Sequence, residues 1–363
     1  MSSNRREFLR RTAAVAAGLG AGALSPAAQS QRAAIPTPRA TALMNAFGLK
    51  FPIFNAGMGP TAGPDLAIAV SNAGGFGAIG TGTNMSADVV RQRVSRVRTE
   101  VRGLFAVNYL LAFDPVTLPI ALDAGAPAVQ FAWGIPRADA VSAIRSAKAR
   151  MGVQISNIDG ARRALDLGAD YLICQGVEAG GHVQALSPLY ESLHAVIAEA
   201  RMVPVLAAGG IGNGADIRRA LLAGASGVLI GTRFVATKES LAHDDYKHAL
   251  TRAKGADTVL TICFQDGWPN APHRALRNRT IDMWEAAGCP PPGKRPGEGD
   301  VLTTNAVTGS TKRRYSVGSP TADDRGVIGE LPLWSGQGVD SVRDVPSAAD
   351  LVPRLWRECL GSS

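Results

Sequence analysis

The segment CQGVEAGGHV, at 174–183, combines a titratable side chain with two adjacent glycines. His182 can exchange a proton near neutral pH, because an imidazole has an unperturbed pKa near 6.5. Gly180 and Gly181 precede it, and paired glycines either form a turn with unusual dihedrals or let the backbone approach a flat or anionic group closely. Glu178 is expected to support the loop through backbone amides, with a solvated position as the alternative. The pattern indicates a ligand loop in which His182 is the reactive residue.

Two further glycine-containing segments suit a phosphate group. AAGGIGNGADI places the backbone amides of Gly209 and Gly210 near a helix start, and IGTRF adds Gly231 and the Thr232 hydroxyl. Free amides at helix starts bind anions, and (β/α)8 barrels use the loops after strands seven and eight in this way. Two ordinary glycine turns are the alternative. We expect a phosphorylated cofactor or substrate here.

These loops follow short apolar segments that predict eight strands. The segments are 51–56, 76–80, 103–108, 128–132, 152–156, 170–175, 203–208 and 227–231. Helical segments alternate with them, at 66–72, 87–98, 138–150, 158–167, 189–200 and 216–223. Strands that are apolar throughout and are separated by helices indicate a parallel sheet with both faces covered. The fold class is therefore α/β, and eight units favour a closed (β/α)8 TIM barrel with a C-terminal helical extension.

An open doubly wound sheet is the alternative fold. It is disfavoured because no G-x-G-x-x-G motif opens the first helix with an acidic residue in the right place. The nearest match, GGFGAIG at 74–80, crosses a predicted strand instead of leading into a helix.

The chain is predicted to have four parts. Residues 1–28 are an export signal, 29–41 a linker, 42–236 the barrel, and 237–363 a helical extension with a returning segment that completes the barrel. The extension has the helical stretches YKHALTRAK and TIDMWEAA, the connector CPPPGKRPGEGD and a final helix AADLVPRLWREC. We expect it to cover the barrel rather than to fold as an independent domain.

The signal has a basic start, an apolar run at 13–24 and small residues around 25–28. The order Arg5-Arg6-x-Phe-Leu resembles the twin-arginine signature, whose machinery exports proteins already folded. We therefore expect a periplasmic or otherwise exported bacterial protein that receives its cofactor before export. A disordered basic tail is the alternative. The apolar run is too short for a transmembrane helix and no lipobox cysteine follows it, so no stable membrane anchor is expected.

Composition argues against a nucleic-acid partner. The net charge of +8 falls to about +5 once the signal is removed. The basic residues are dispersed and aromatic residues make up only 6% of the chain, so neither a basic block nor a stacking platform is present. The four cysteines show no C-x-x-C pair and no metal-ligand spacing, which predicts no metal site. A disulfide among Cys263, Cys289 and Cys359 stays open.

Several motifs, in order along the chain, resemble the nitronate monooxygenase family, also called the 2-nitropropane dioxygenase-like flavoproteins. They are PIFNAGMG, SNAGGFGAIG, QGVEAGGH, VLAAGGIGNGADIRRALLAGASGVLIGTRF, HRALRNRT and WSGQGV. The likeness runs from about residue 43 to residue 355. FMN-dependent enoyl-acyl-carrier reductases and NAD(P)H:quinone reductases share the barrel and the Gly-Gly-His loop.

The resemblance implies one non-covalent FMN at the mouth of the barrel. The residues implied to hold it are Ala56, Gly57 and Met58 along the ring, Asn108 and Gln175 as polar contacts, Gly180 and Gly181 against the isoalloxazine, Gly209, Gly210, Gly231 and Thr232 at the phosphate, and Gln337 closing the site. By resemblance, His182 lies over the flavin and either removes the proton next to a nitro group or hydrogen-bonds the nitronate.

The implied reaction is oxidation of alkyl nitronates, a small-molecule substrate, with molecular oxygen. Two loops depart from the family pattern: Val183 and Gln184 follow the Gly-Gly-His motif, and QFAWG supplies Gln130 and Trp133. Both loops are expected to touch substrate. Two alternatives stay open: an NAD(P)H-dependent reductase of quinones or enoyl thioesters, and an exported flavin electron carrier without turnover.

The other histidines are expected to be ordinary. His194, His243 and His248 fall on predicted helices with polar neighbours, where exposure is the default. His273 lies in PHRALRNR, whose arginines either pack at the barrel mouth, where they would attract an anionic substrate, or form a solvated basic face.

Overall fold

Eight parallel strands form the barrel that the apolar segments predict. In the computed structural model, which describes residues 35–82 and 85–361, they are β1 Ile53–Asn55, β2 Gly77–Gly80, β3 Phe105–Leu110, β4 Ala128–Ala132, β5 Arg150–Ile155, β6 Tyr171–Gln175, β8 Val205–Ala208 and β9 Gly227–Ile230. Their order is β1-β9-β8-β6-β5-β4-β3-β2. A backbone hydrogen bond of 2.9 Å from Phe76 N to Ile53 O joins the two ends of this order. The predicted (β/α)8 fold is confirmed.

Helices surround the strands. Their bounds are α1 Pro38–Phe47, α2 Pro64–Asn72, α3 Ala87–Glu100, α4 Leu118–Asp123, α5 Ala138–Ser146, α6 Ile158–Asp166, α7 Leu189–Ala200, α8 Gly214–Leu222, α9 Thr232–Val235, α10 Asp244–Arg252, α11 Arg279–Ala286 and α12 Ala348–Leu360. The predicted helix 138–150 was too long, because Lys148 has a φ of +55° and β5 begins at Arg150. The six-residue α4 is too short to give a helical period and was missed.

Helix α1 closes one end of the barrel and begins inside the predicted linker 29–41. Thr37 caps it by accepting a hydrogen bond from the Ala40 amide at 3.3 Å. Phe47, its last residue, packs edge-on against Tyr171 with ring centroids 5.6 Å apart. Tyr171 begins β6, so α1 lies at the amino ends of the strands and the functional loops lie at the opposite end.

The eighth helix of the ring comes from the C-terminus. Helix α12 packs on α8 and α2. These two helices belong to the seventh and first units of the barrel, so α12 takes the place of the eighth. The stretch 236–347 is therefore an insertion between α9 and α12. It holds α10, α11 and five strands: β10 Thr258–Thr261, β11 His273–Leu276, β12 Val301–Asn305, β13 Thr311–Arg313 and β14 Asp324–Gly326. The predicted helical extension thus contains helices and also strands, which were not predicted because strands of three to five residues with exposed polar positions give no apolar run.

The insertion also pairs with the loop that follows β6. Residues Gly181–His182 form the two-residue strand β7, which is the edge of an antiparallel sheet of order β10-β11-β7. His182 faces His273 in this register, and Gly181 faces Arg274. The insertion thus fixes the backbone of the Gly-Gly-His loop.

The predicted export signal, 1–28, lies outside the described residues. Within 35–82 and 85–361, none of the helices has the length and apolarity that crossing a bilayer requires. All four cysteines are free, so the disulfide left open among the last three is not formed.

Candidate active site

A cavity of about 690 Å³ opens where the barrel strands end. Its lining includes twelve of the thirteen residues that the resemblance implied: Ala56, Gly57, Met58, Asn108, Gln175, Gly180, Gly181, His182, Gly209, Gly210, Gly231 and Thr232. Gln337 is the exception. Its neighbours Gly336 and Gly338 line the cavity instead, while the Gln337 amide donates to the Glu178 carbonyl at 3.0 Å. The returning segment, residues 335–338, therefore closes the site with its backbone.

The polar side chains at the strand ends hold backbone in place. Asn108 Nδ2 donates to the Gly57 carbonyl at 3.2 Å. Gln175 Nε2 donates to the His182 carbonyl at 3.2 Å, and Gln175 Oε1 accepts from the Gln184 amide at 2.9 Å. These two amides position the loops that flank the cavity.

The start of α9 offers an anion site. Gly231 precedes its first turn, and its carbonyl accepts from the Phe234 and Val235 amides at 2.8 and 3.1 Å. The amides without an acceptor within the helix are therefore those of Thr232 and Arg233. Thr232 Oγ1 accepts from the Gly336 amide at 2.9 Å, which leaves the hydroxyl proton free to donate toward the cavity. Gly209 and Gly210 lie on the same cavity wall.

The start of α8 is occupied by the protein's own carboxylates. Asp216 Oδ2 accepts from the Gly212 amide at 3.0 Å and from the Asn213 amide at 3.3 Å. Glu358 Oε2 accepts from the Gly214 amide at 3.0 Å. The amides at 212–214 are therefore occupied, while the Gly209 and Gly210 amides, on which the phosphate prediction rested, donate to no group among the described residues and line the cavity.

Gly180 is excluded from carrying a side chain by protein backbone. A Cβ built there would lie 2.3 Å from the Gly336 nitrogen and 2.6 Å from the Ser335 carbonyl carbon. Gly181 has a φ of +70°, with open space where a Cβ would be. The sequence interpretation assigned both glycines to a flat ligand, whereas at Gly180 the returning segment takes that place.

His182 lies in an aromatic pocket. Its ring stacks on Trp268 at a centroid distance of 4.0 Å and an interplanar angle of 17°. The rings of His273, Trp334 and Trp133 follow at 5.3, 5.3 and 6.1 Å. Burial, with a smaller contribution from His273, lowers the pKa of His182 to about 3. The imidazole is therefore neutral at ordinary pH.

The Nε2 atom of His182 is buried and has no hydrogen-bond partner among the described residues. A buried polar atom of this kind costs free energy unless a ligand or water satisfies it. Because His182 lines the cavity, a ligand or water bound there is the candidate partner for this atom.

His273 is a structural neighbour of His182. It is fully buried, its Nδ1 lies 2.9 Å from the Ala271 carbonyl, and its Nε2 lies 3.2 Å from the Phe264 amide. Nδ1–H therefore donates and Nε2 accepts, and burial lowers the pKa of His273 to about 4. His273 is therefore a neutral neighbour of His182. Both of its ring nitrogens bond to backbone, so neither is left for a ligand.

The arginines after His273 do not line the cavity. Arg274 is buried and donates to the Val177 carbonyl at 3.0 Å. Arg277 pairs with Asp282 and Glu285, each at 2.8 Å, on the surface. A solvated basic face was therefore the wrong description for His273 and Arg274 and the right one for Arg277.

Glu178 supports the loop as expected. Its two carboxylate oxygens accept from the Leu189 amide at 3.2 and 3.0 Å, at the start of α7. The carboxylate lies at a helix start, where negative charge is favourable.

Comparison with known proteins identifies the family. A family model described as nitronate monooxygenase matches residues 40–120 and 114–358. The chain belongs to the nitronate monooxygenase family. The nitronate monooxygenase of Pseudomonas aeruginosa is 32% identical over 372 residues, covering 90% of this chain and 100% of that protein. The family assignment and the solved neighbours make the chain a flavin-dependent oxidoreductase.

Two solved structures share the fold of this nitronate monooxygenase family member. A nitroalkane oxidase from Streptomyces ansochromogenes aligns with a TM-score of 0.69 and 28% identity, covering 88% of this chain and 98% of that one. A variant of FabK from Thermotoga maritima aligns with a TM-score of 0.71 and 25% identity, covering 88% and 95%.

Of the residues that depart from the family pattern, only Trp133 lines the cavity. Val183, Gln184 and Gln130 lie outside its lining, and Val183 and Gln130 are buried. We expected both loops to touch substrate. Of these four residues, Trp133 alone lies where it could do so.

Among the cavity residues that sequence reasoning missed in this nitronate monooxygenase family member are two tryptophans and one arginine. Trp268 and Trp334 come from the insertion and flank His182. Arg93 comes from α3, and its Nη1 is buried with no partner among the described residues. The residue type was the one signal in the sequence for the two tryptophans. The chain has only five tryptophans, and three of them line this cavity.

Proposed function

We propose that this protein oxidises alkyl nitronates with molecular oxygen, using one bound FMN. The observation that carries the proposal is His182 Nε2, a buried polar atom of a cavity-lining residue with no partner within residues 35–82 and 85–361. It is flanked by aromatic rings and lies on the loop that carries the family's Gly-Gly-His motif.

The cavity fits FMN. The segment Ala56–Met58 lines one wall with backbone, and Gly209 and Gly210 line another. Thr232 has a hydroxyl proton to donate, beside the free amides at the start of α9. These residues would hold the ring and the phosphate. When bound, FMN supplies the redox chemistry, passing electrons from the organic substrate to oxygen.

The lowered pKa of His182 favours one of its two implied roles. A base works best when its pKa lies near the working pH, and an imidazole with a pKa of about 3 binds a proton weakly. In its Nε2–H tautomer a neutral imidazole still donates a hydrogen bond, and a nitronate oxygen carries the negative charge that strengthens such a bond. These properties support a substrate that is already ionised over a neutral nitroalkane.

An anaerobic titration tests the proposal. The purified protein is loaded with FMN and titrated without oxygen, first with propyl nitronate and then with NADH and NADPH. We expect bleaching of the flavin absorbance by the nitronate and its return when oxygen is admitted. His182→Phe, which keeps a ring but has no donor, should lower the second-order rate constant of bleaching about tenfold or more, since a hydrogen bond to a charged group is lost.

Each alternative gives a different result in the same titration. Bleaching by NADH or NADPH without bleaching by the nitronate would identify a pyridine-nucleotide-dependent reductase. A normal flavin spectrum that no reductant bleaches would identify an electron carrier. A colourless protein that does not take up FMN would contradict every flavin-based function.

We also propose export by the twin-arginine route, on the basis of the residues at 1–28 alone. Expression of the full chain in a bacterial host should place a shortened, FMN-loaded protein in the periplasmic fraction. Replacing Arg5 and Arg6 with lysine should retain the protein in the cytoplasm. The proposal would be contradicted if the wild-type chain and the lysine variant both gave a full-length product in the same compartment, whether periplasm or cytoplasm.

A further inference from the structure

Trp133 adopts a backbone conformation that bulky residues rarely take. It follows β4 directly and has a φ of +62°, in the left-handed region. Such conformations persist where the surroundings hold them, and they concentrate at functional sites. Its side chain lines the cavity, with the indole ring 6.1 Å from the His182 ring and 4.9 Å from the Trp268 ring.

Gln184 holds Trp133 in this conformation. Gln184 Oε1 accepts from the Trp133 backbone amide at 2.8 Å, and Gln184 Nε2 donates to the Gln154 carbonyl at 3.1 Å. The Gln184 backbone amide donates to Gln175 Oε1 at 2.9 Å. The two departures from the family pattern are thus one structural unit, because Gln184 ties the end of β4 to the ends of β5 and β6.

The indole nitrogen of Trp133 has nothing to donate to. Nε1 is buried and has no hydrogen-bond partner among the described residues. An indole N–H is a donor only, so the missing partner must be an acceptor atom. His182 Nε2 is in the same state in the same cavity. Two neighbouring rings of one cavity wall therefore each carry a polar atom that no described protein group satisfies.

We infer that Trp133 donates its indole N–H to an oxygen atom of the bound nitronate group, with Gln184 as its positioning residue. The inference rests on the proposed function. A nitronate carries its negative charge on two oxygens, which allows one to accept from His182 and the other from Trp133. Hydrogen bonds to a charged acceptor are about twice as strong as neutral ones, so this pair of neutral donors selects the anion over a neutral nitroalkane.

Nitrate is a suitable probe, because it is a planar anion with oxygen atoms on nitrogen and undergoes no turnover here. The FMN-loaded protein is labelled with ¹⁵N in tryptophan, whose five residues give five indole signals. Trp133→Phe removes one signal and so assigns it. We expect this signal to shift on addition of nitrate, and calorimetry should show nitrate binding about tenfold or more weaker in Trp133→Phe.

Trp284→Phe is the matched control. It also removes an indole N–H, but that group donates to the Pro290 carbonyl within the insertion, away from the cavity lining. Nitrate affinity should be unchanged in this variant. Equal weakening in both variants, or an unshifted Trp133 signal in the wild-type protein, would overturn the inference.

The role of Gln184 is tested by a double-mutant cycle. Gln184→Leu should weaken nitrate binding, and the double variant with Trp133→Phe should bind no more weakly than Trp133→Phe alone, because Gln184 acts through Trp133. Additive losses would show that Gln184 acts by another route. If Gln184→Leu does not fold, Gln184→Asn, which is too short to span the same gap, replaces it in the cycle.

The inference and the proposed function fail in different ways. A protein whose flavin no nitronate bleaches, but whose Trp133 signal shifts with nitrate, would retain the oxyanion donor and lose the proposed reaction. Bleaching by nitronate with an unaffected Trp133→Phe variant would retain the reaction and overturn the donor.

Discussion

The imidazole of His182 lies flat on the indole of Trp268, with ring centroids 4.0 Å apart and planes 17° apart. The two residues come from distant parts of the chain, since His182 follows β6 and Trp268 lies in the insertion between β10 and β11. The contact removes water from one face of the imidazole. Because a buried imidazole loses hydration of its charged form, the insertion contributes directly to the low pKa of His182.

Removing the Trp268 ring should restore basicity to His182. In Trp268→Ala the imidazole regains water on one face, so its pKa should rise from about 3 toward the ordinary value near 6.5. The measurement is a pH titration of the histidine ring signals by NMR, with the His182 signal assigned through His182→Gln. A signal that still fails to titrate between pH 4 and pH 7 would show that Trp268 is not the cause.

A side chain at Gly180 should separate the returning segment from the barrel. In Gly180→Ala the new Cβ would meet backbone at 2.3 Å, and backbone cannot move aside cheaply. Overpacking of this kind costs about 1–3 kcal/mol, so we expect a lower free energy of unfolding and weaker FMN binding.

Gly103→Ala is the control for this change, because a Cβ at that exposed glycine meets nothing within 4 Å. Urea denaturation and fluorescence titration with FMN measure the two effects. Equal stability and FMN affinity in the two variants would contradict the close approach at Gly180.

The barrel could be predicted from the sequence because its determinants are local. The strands are short, largely apolar runs, and one such as Tyr171–Gln175 is buried along its full length. The loops that bind ligands follow from strand direction alone, since parallel strands place all their carboxyl ends together.

The insertion could not be predicted in the same way. The pairing of His182 with His273 joins a two-residue strand to a four-residue strand, and neither contains a periodic pattern. Arg93 was missed for a different reason. It lies beside the apolar face of α3 formed by Val90, Val94 and Val97, and only the position of the cavity shows that it faces a ligand.

The buried histidines should make stability fall in acid. The folded-state pKa of His273 is lowered to about 4, while the unfolded chain has a value near 6.5, so the unfolded state binds more protons between these values. Stability is therefore complete above about pH 6.5 and declines as the pH falls toward 4. For His273 the loss between pH 8 and pH 5 is about 2 kcal/mol.

His273→Gln should remove this part of the pH dependence, since glutamine keeps a donor and an acceptor but does not titrate. Urea denaturation at pH 8 and pH 5 gives the difference for each protein, which is independent of the variant's absolute stability. The control is His248→Gln, which removes an exposed histidine. An identical pH difference in His273→Gln and the wild-type protein would contradict the assignment.

Arg93 should favour anionic substrates. Its guanidinium lines the cavity and forms no ion pair with the described residues, so its positive charge is available to a bound anion. Arg93→Met keeps an unbranched stem and removes the guanidinium and its charge. We expect kcat/KM for propyl nitronate to fall about fivefold to twentyfold, with little change for neutral nitropropane, because only the anion is attracted by the charge.

Arg91→Met is the matched control for Arg93→Met. It removes the same charge two residues earlier on α3, where the side chain is exposed to solvent. Exposed charges are screened by salt, so this variant should keep the wild-type ratio of nitronate to nitroalkane rates. Steady-state assays at two salt concentrations provide both comparisons. A loss in Arg91→Met equal to that in Arg93→Met would assign the effect to the net charge of the protein, and not to the cavity.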